Sequence, residues 1–101
     1  NGYIESIDYD ISKSRLITMS HDLAKDLAPH IRVNVVAPGW VETDMNKEIS
    51  KEFKNREIEK IFLKRFATPD EIANVIYFLA SDEASYVNDA VIKVNGGTNG
   101  C

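Results

Sequence analysis

Tyr9 and Lys13 form a Tyr-x-x-x-Lys spacing. On a helix, residues four apart are surface neighbours, so both side chains can face one pocket. A phenol beside an ammonium can move a proton, provided the phenol is acidic enough. A free tyrosine titrates near about 10, and bringing it ~3 units lower takes about 4 kcal/mol of preferential phenolate stabilisation. A lysine ~6 Å away supplies about 0.7 kcal/mol in bulk water and about 2.8 kcal/mol at an effective dielectric of 20. A lone helix in water therefore leaves Tyr9 an ordinary tyrosine. The spacing becomes a site only if something closes over it.

Other candidates fare worse. His21 and His30 are nine positions apart across Pro29, with no carboxylates at matching spacing, and read as surface histidines. Ser12 and Ser14 flank Lys13 without a histidine at helical distance, so no nucleophile pair is formed. Ser81, Asp82 and Ser85 look like capping residues, and Cys101 like an inert tail residue. No metal site is expected. Trp40 could be core, but it follows Pro38-Gly39 at the carboxyl end of a strand-like run, where α/β proteins place ligands. That position favours a ligand contact.

The elements that must position these residues follow from periodicity. Asn1–Asp8 reads as an irregular lead-in. Asp10–Ala28 is helical, with Leu16, Met19 (or Ser20), Leu23 and Leu27 on one stripe, widened by Ile11 and Ala24, and Pro29 as its stop. Ile31–Val36, β-branched and apolar on both faces at its end, predicts a parallel strand closed by Ala-Pro-Gly. Asn46–Phe66 is dense in charge. Ile49 with Phe53, then Ile58, Ile61 and Phe62, suggest one or two short amphipathic helices. Sparse apolar cover there predicts a lid of low local stability over Trp40–Phe66.

The next helix is better marked. Thr68-Pro69-Asp70-Glu71 combines a cap, a proline at the first helical position and a glutamate three residues after the cap. Ile72, Val75, Ile76 and Leu79 form its buried face, and Ser81-Asp82 end it. Ala90–Val94 predicts a second strand, ending at Asn95-Gly96-Gly97. Helix, strand, small helices, helix, strand is half of an α/β layered fold, which predicts the carboxyl-terminal part of a longer protein.

Composition narrows the class. The 101 residues are 44% hydrophobic and 28% charged, ordinary for a folded soluble domain. Twelve basic against 16 acidic residues give a net charge of −4, which disfavours a nucleic-acid partner. The longest apolar run, Val75–Ala80, falls far short of the ~20 residues a membrane span requires, so no membrane partner is expected. A single cysteine and no secretory leader suit a reducing, cytoplasmic setting.

Three further blocks follow the Tyr9–Lys13 motif: IRVNVVAPGWVETDM (31–45), RFATPDEIANVIYFLASDEASYV (65–87) and VIKVNGG (91–97). In this order they resemble the short-chain dehydrogenases/reductases, above all the 3-oxoacyl-[acyl-carrier-protein] reductases. The resemblance spans essentially the whole chain. It implies the carboxyl-terminal portion of a doubly wound, parallel-sheet Rossmann fold whose cofactor-binding half lies upstream. It also implies hydride transfer between NAD or NADP, with NADP favoured, and a carbonyl or alcohol carbon of a small or acyl-carrier-linked substrate.

By the same resemblance Tyr9 is the proton donor, and Lys13 lowers its pKa and holds the nicotinamide ribose. Pro38 and Gly39 form the turn beside the nicotinamide. The Val41 backbone meets the carboxamide, and the Thr43 hydroxyl faces the phosphates. Trp40 and Met45 lie on a flap over the substrate. These enzymes commonly assemble as tetramers, through the helix bearing the tyrosine and through the edge formed by the last helix and strand. Here Ile72–Val94 is the expected homo-oligomer contact, with Ala73, Tyr77 and Ala80 on its outward side.

The chain departs from the family pattern at four places. Asn88-Asp89 replaces a common Thr-Gly, Asn95 a usual aspartate, and Phe62 and Lys64 a common proline and glycine. The rival expectation is a non-catalytic fragment that only assembles with a partner chain.

Overall fold

No proline or turn cluster interrupts the chain before Pro29, and a helix once nucleated adds one hydrogen bond per residue. Helix α1 accordingly spans Gly2–Leu27, 26 residues. It takes in most of the stretch expected to be an irregular lead-in. The computed structural model describes the backbone of residues 2–99 and the side chains of 13–44 and 46–99. After α1 come β1 (Val35–Pro38), a 3-10 turn η1 (Asp44–Glu48), α2 (Lys51–Glu59), α3 (Pro69–Ala80), a second 3-10 turn η2 (Asp82–Ala84) and β2 (Val91–Val94). No helix among the described residues is long and apolar enough to cross a membrane.

The strands form a two-stranded sheet. The Val35 amide donates to the Ala90 carbonyl at 2.9 Å and the Gly39 amide to the Val94 carbonyl at 3.1 Å, a constant offset that makes the pair parallel. The connection between them carries α2 and α3, as a parallel pair requires. This is the expected α/β order.

Two compact units emerge, and each is described by itself. The first joins Asn1–Val35 to Ser85–Val91. Among the described side chains of α1, Ser20 and Ala24 are buried, 8% and 2% exposed, whereas Leu16, Met19 and Leu23 are 51%, 55% and 43% exposed. The covered line therefore runs through Ser20 and Ala24, the small residues of the predicted stripe, one helical turn apart, while its bulky members Leu16, Met19 and Leu23 stay open. Periodicity marks an apolar face; it does not supply the surface that covers it.

Within the same unit the predicted strand Ile31–Val36 starts late. Residues 31–34 are tied to residues 87–90 mostly by side chains, with one backbone bond, from the Asp89 amide to the Val33 carbonyl at 2.9 Å. Asn34 donates from Nδ2 to the Val87 carbonyl (2.9 Å) and accepts from the Ala90 amide at Oδ1 (3.0 Å). Arg32 Nη1 donates to the Val87 carbonyl, and Asn88 Oδ1 accepts from the Val33 amide. His21 Nδ1 lies 2.7 Å from Asp89 Oδ2, on the surface as expected.

The second unit, Val36–Ala84 with Ile92–Cys101, buries Ile61, Phe66, Leu79 and Ala84. Helix α3 begins with the predicted capping box, Thr68 Oγ1 accepting from the Glu71 amide and Glu71 from the Thr68 amide. Its covered line is Ile72, Val75 and Leu79. Ile76, expected on that face, is 52% exposed, because a stripe at i, i+3 and i+7 leaves the i+4 position at its rim. Phe62, expected on the stripe of the preceding segment, is 61% exposed, since the chain turns immediately after buried Ile61.

Two of the departures from the family pattern acquire a physical meaning here. Lys64 and Asp89, which stand where a glycine is common, both have φ of 60°. The left-handed backbone survives although the residue that favours it is gone. Such a conformation costs a side-chain-bearing residue roughly 1–2 kcal/mol, less for Asp. Glycine returns part of that by its greater freedom in the unfolded chain. Lys64→Gly is expected to stabilise the fold by about 0.5–1 kcal/mol in urea melts. Asp89→Gly should gain less, because it forfeits the His21 contact. A destabilised Lys64→Gly variant would show that the Lys64 ammonium, 2.6 Å from the Glu59 carbonyl, outweighs the backbone term.

Candidate active site

The residues singled out by sequence fall in both units. Tyr9 and Lys13 are four apart within α1, in the first unit. The side chain of Lys13 is exposed. The side chains of Tyr9 and Met45 lie outside the described residues, and so does Cys101. Pro38, Gly39, Trp40, Val41 and Thr43 are consecutive or nearly so in the second unit, on the turn that leaves β1.

That turn is built from close backbone approaches. A Cβ on Gly39 would stand 2.8 Å from Asn95 Cβ, so a larger residue would force the strand ends apart. Asn95 Oδ1 accepts from the Gly97 amide at 2.8 Å, a bond the aspartate usual at this position could equally make. Beyond Gly39 the chain pairs with Ala67 in a parallel bridge centred on Val41. The Ala67 amide donates to the Trp40 carbonyl (3.0 Å) and the Glu42 amide to the Ala67 carbonyl (2.8 Å). In an extended chain alternate residues turn their polar groups to opposite sides, so Val41 points its own N–H and C=O away from Ala67. Thr43 caps η1 without a side-chain capping bond, which keeps its exposed hydroxyl out of the cap.

Trp40 is partly packed. Its indole stacks on Phe66 (centroids 5.3 Å, 9° between planes) and meets Phe53 of α2 edge-on at 6.0 Å. Trp40 Nε1 donates to Glu57 Oε1 at 3.3 Å. Lys54 sits 5.1 Å above the Phe66 ring and 2.5 Å from Glu42 Oε1. Three side chains of one face of α2 thus hold the helix against the turn. The Glu57 carboxyl is drawn below the usual range, first by the Lys60 ammonium and then by the Trp40 N–H.

Phe66 and Ala67, which carry these contacts, sit inside a clamp. Arg65 donates two bonds of 2.7 Å, one to each oxygen of Glu71. Glu71 Oε1 also accepts from the Thr68 amide at 2.8 Å. The Arg65 guanidinium, then the Thr68 amide, lower the Glu71 carboxyl from 4.5 to about 2, and Glu71 in turn raises Arg65. The clamp therefore stays ionised throughout the neutral range. Its favourable term is present above pH about 4.5 and lost as the pH falls toward about 2, because the unfolded carboxyl binds its proton first.

Sequence reading missed Lys54, Glu57, Phe66, Arg65 and Asn46. Arg65 had a readable signal: a capping-box glutamate has a second oxygen, and an arginine three residues before the cap can reach it. Asn46 had none; its Nδ2 donates to the Val41 carbonyl, a contact set only by the turn.

Comparison with known proteins supplies what this geometry leaves open. Residues 3–99 match the family model described as enoyl-(acyl carrier protein) reductase. The chain is 47% identical over 97 residues to the 3-oxoacyl-[acyl-carrier-protein] reductase FabG of Aquifex aeolicus, covering 95% of this chain and 39% of that one. It is 49% identical over 90 residues to the protein FixR of Bradyrhizobium diazoefficiens, with 88% and 31% covered. Among solved structures, a short-chain dehydrogenase/reductase from Brucella melitensis superposes with a TM-score of 0.81 at 43% identity, covering 88% of this chain and 36% of that one. The chain thus spans between about a third and two fifths of the length of these relatives.

Proposed function

The chain belongs to the short-chain dehydrogenase/reductase family, and from that premise we propose that it is the carboxyl-terminal part of a reductase acting on a carbonyl compound, most suitably a 3-oxoacyl thioester on an acyl carrier. The observation that carries this reading is the occurrence of Tyr9 and Lys13 four residues apart within one continuous helix. The substrate class is supported by the name of the Aquifex aeolicus relative and by that of a second, from Thermotoga maritima, 46% identical over 91 residues.

The nicotinamide cofactor, NADP in preference to NAD, would supply the hydride. The chain's own residues fit such a group. Val41 offers an N–H and a C=O on one side, complementary to a carboxamide; Thr43 offers a hydroxyl free of its cap; Pro38 and Gly39 present a turn with no side chain at Gly39 to obstruct approach. Tyr9 donates the proton to the carbonyl oxygen. Lys13, exposed on the same helix, stabilises the resulting phenolate and binds the ribose. Trp40, with Met45, borders the substrate.

Assembly as a homo-oligomer through α3 and β2 belongs to the same reading. It is supported by the exposure of Ala73, Ile76, Tyr77 and Ala80 on one helix, Tyr77 reaching 78%.

The test is direct. The full-length protein, mixed with NADPH or NADH and a 3-oxoacyl thioester, is expected to oxidise the cofactor only when the ketone is present. Absence of ketone-dependent oxidation with either cofactor would overturn the proposal.

A further inference from the structure

Val41 is an extended residue whose neighbours, Trp40 and Glu42, make the bonds to Ala67. Its own donor and acceptor therefore face the other way, side by side. A primary carboxamide is the complement of that pair, since it carries an N–H and a C=O in similar spacing. The structure already contains one such group on the spot: the Asn46 side chain, whose Nδ2 donates to the Val41 carbonyl. The turn η1 delivers it. The Asn46 amide donates to the Thr43 carbonyl at 3.0 Å, and the Ile49 amide to the Asn46 carbonyl at 3.2 Å, so the side chain reaches back five residues from a fixed backbone.

We propose that the Asn46 carboxamide is an internal stand-in for the ligand's carboxamide, holding the Val41 carbonyl until the ligand displaces it. This rests on the reading above, in which Val41 meets the nicotinamide carboxamide. The physical logic is an exchange. A partly buried carbonyl without a partner costs free energy, and Asn46 removes that cost in the free protein. When the ligand arrives, one amide bond replaces another and the net gain is small. The apparent dissociation constant is the intrinsic one divided by the fraction of molecules in which Asn46 has swung away. The stand-in weakens cofactor binding while keeping the turn ordered.

Asn46→Ala removes the competing donor, and Asn46→Asp keeps the shape while turning the donor into an acceptor. Calorimetric titration of the full-length wild type and both variants with NADH and NADPH, and with their acetylpyridine analogues, separates the alternatives. A methyl ketone in place of the carboxamide cannot donate to Val41, so the analogue should bind all three proteins more weakly than the natural cofactor does, which reports that the carboxamide meets Val41. Both variants are expected to bind the natural cofactor about three- to ten-fold more tightly. The analogue has to displace Asn46 as well, so it is expected to tighten by a similar factor in both variants. Weaker or unchanged binding of the natural cofactor would make Asn46 a structural brace and overturn the inference. Tightening by Asn46→Ala without tightening by the isosteric Asn46→Asp would make it a steric obstacle and overturn the inference as well. A wild type that binds neither ligand would instead sink the reading of the site itself, and this inference with it.

Discussion

Tyr9→Phe in the full-length protein is expected to lower ketone reduction by about 10²–10⁴-fold while leaving cofactor affinity unchanged within experimental error. The substitution removes one oxygen and its proton, and retains the ring. Its effect should fall on kcat more than on cofactor binding, because in the proposed mechanism the hydroxyl acts on the carbonyl oxygen in the reacting complex. The same proposal gives Lys13 a part in this step. Its side chain is exposed, and an ammonium ~6 Å from a phenolate contributes only about 0.7 kcal/mol in water. On the proposed reading the pair becomes effective only as water is excluded from the ligand-filled site. Stopped-flow measurement of cofactor oxidation reads the rate, and calorimetric titration reads the cofactor affinity. Turnover at the wild-type level in Tyr9→Phe would remove Tyr9 from the chemistry.

Phe66→Ala should have the largest effect on stability, a loss of about 3–5 kcal/mol in urea unfolding of the full-length protein. Phe66 is 3% exposed and receives the Trp40 face on one side and the Lys54 ammonium near it. Removing the ring leaves a cavity under Trp40, and the indole loses its stacked partner. Trp40 is the only tryptophan in the 101 residues, so its fluorescence reports on the change, and a red-shifted, weakened emission is expected. Phe53→Ala, which deletes only a half-buried edge contact, should cost less. A Phe66→Ala loss below about 1 kcal/mol with unchanged emission would mean that the cluster repacks without it.

How much of this was legible in the residues themselves depends on the range over which each signal acts. The Thr68–Glu71 box and Pro69 are local, and α3 starts where they indicate. The second strand, predicted over Ala90–Val94, differs from β2 by one residue. Local patterns failed where the outcome depended on something distant. Ile31–Asn34 has strand-forming residues, yet all but one of its bonds to residues 87–90 involve a side chain, so the ladder starts at Val35. Leu16, Met19 and Ile76 have the period of buried residues and are exposed, because a period says nothing of what lies opposite. In the candidate site, residue types were legible through the Tyr-x-x-x-Lys and Pro-Gly motifs. The contacts that shape it were not. Asn46 and Glu57 act through a turn and a helix face whose approach to Val41 and Trp40 is a tertiary fact, whereas the Arg65–Glu71 clamp is local and leaves a signal in the capping box.

The side-chain ties of the first unit bear on how the chain reaches this state. Arg32, Val33 and Asn34 bond to residues 53–56 positions later in the chain. Closing such a loop costs about 2 kcal/mol more than closing a five-residue turn. The capping box of α3, by contrast, closes over three residues and can form as soon as its segment is made. The order of events follows: helices first, the parallel pair late, after the long connection has shortened itself by coiling. When the strand ends meet, Asn34 checks the alignment. Its oxygen requires the Ala90 amide and its nitrogen the Val87 carbonyl, three residues apart, and a slip of one position breaks both bonds at once. The Asn34 amide thus acts as a registration key for the parallel pair, alongside the bonds of Val33 to Asn88 and Asp89.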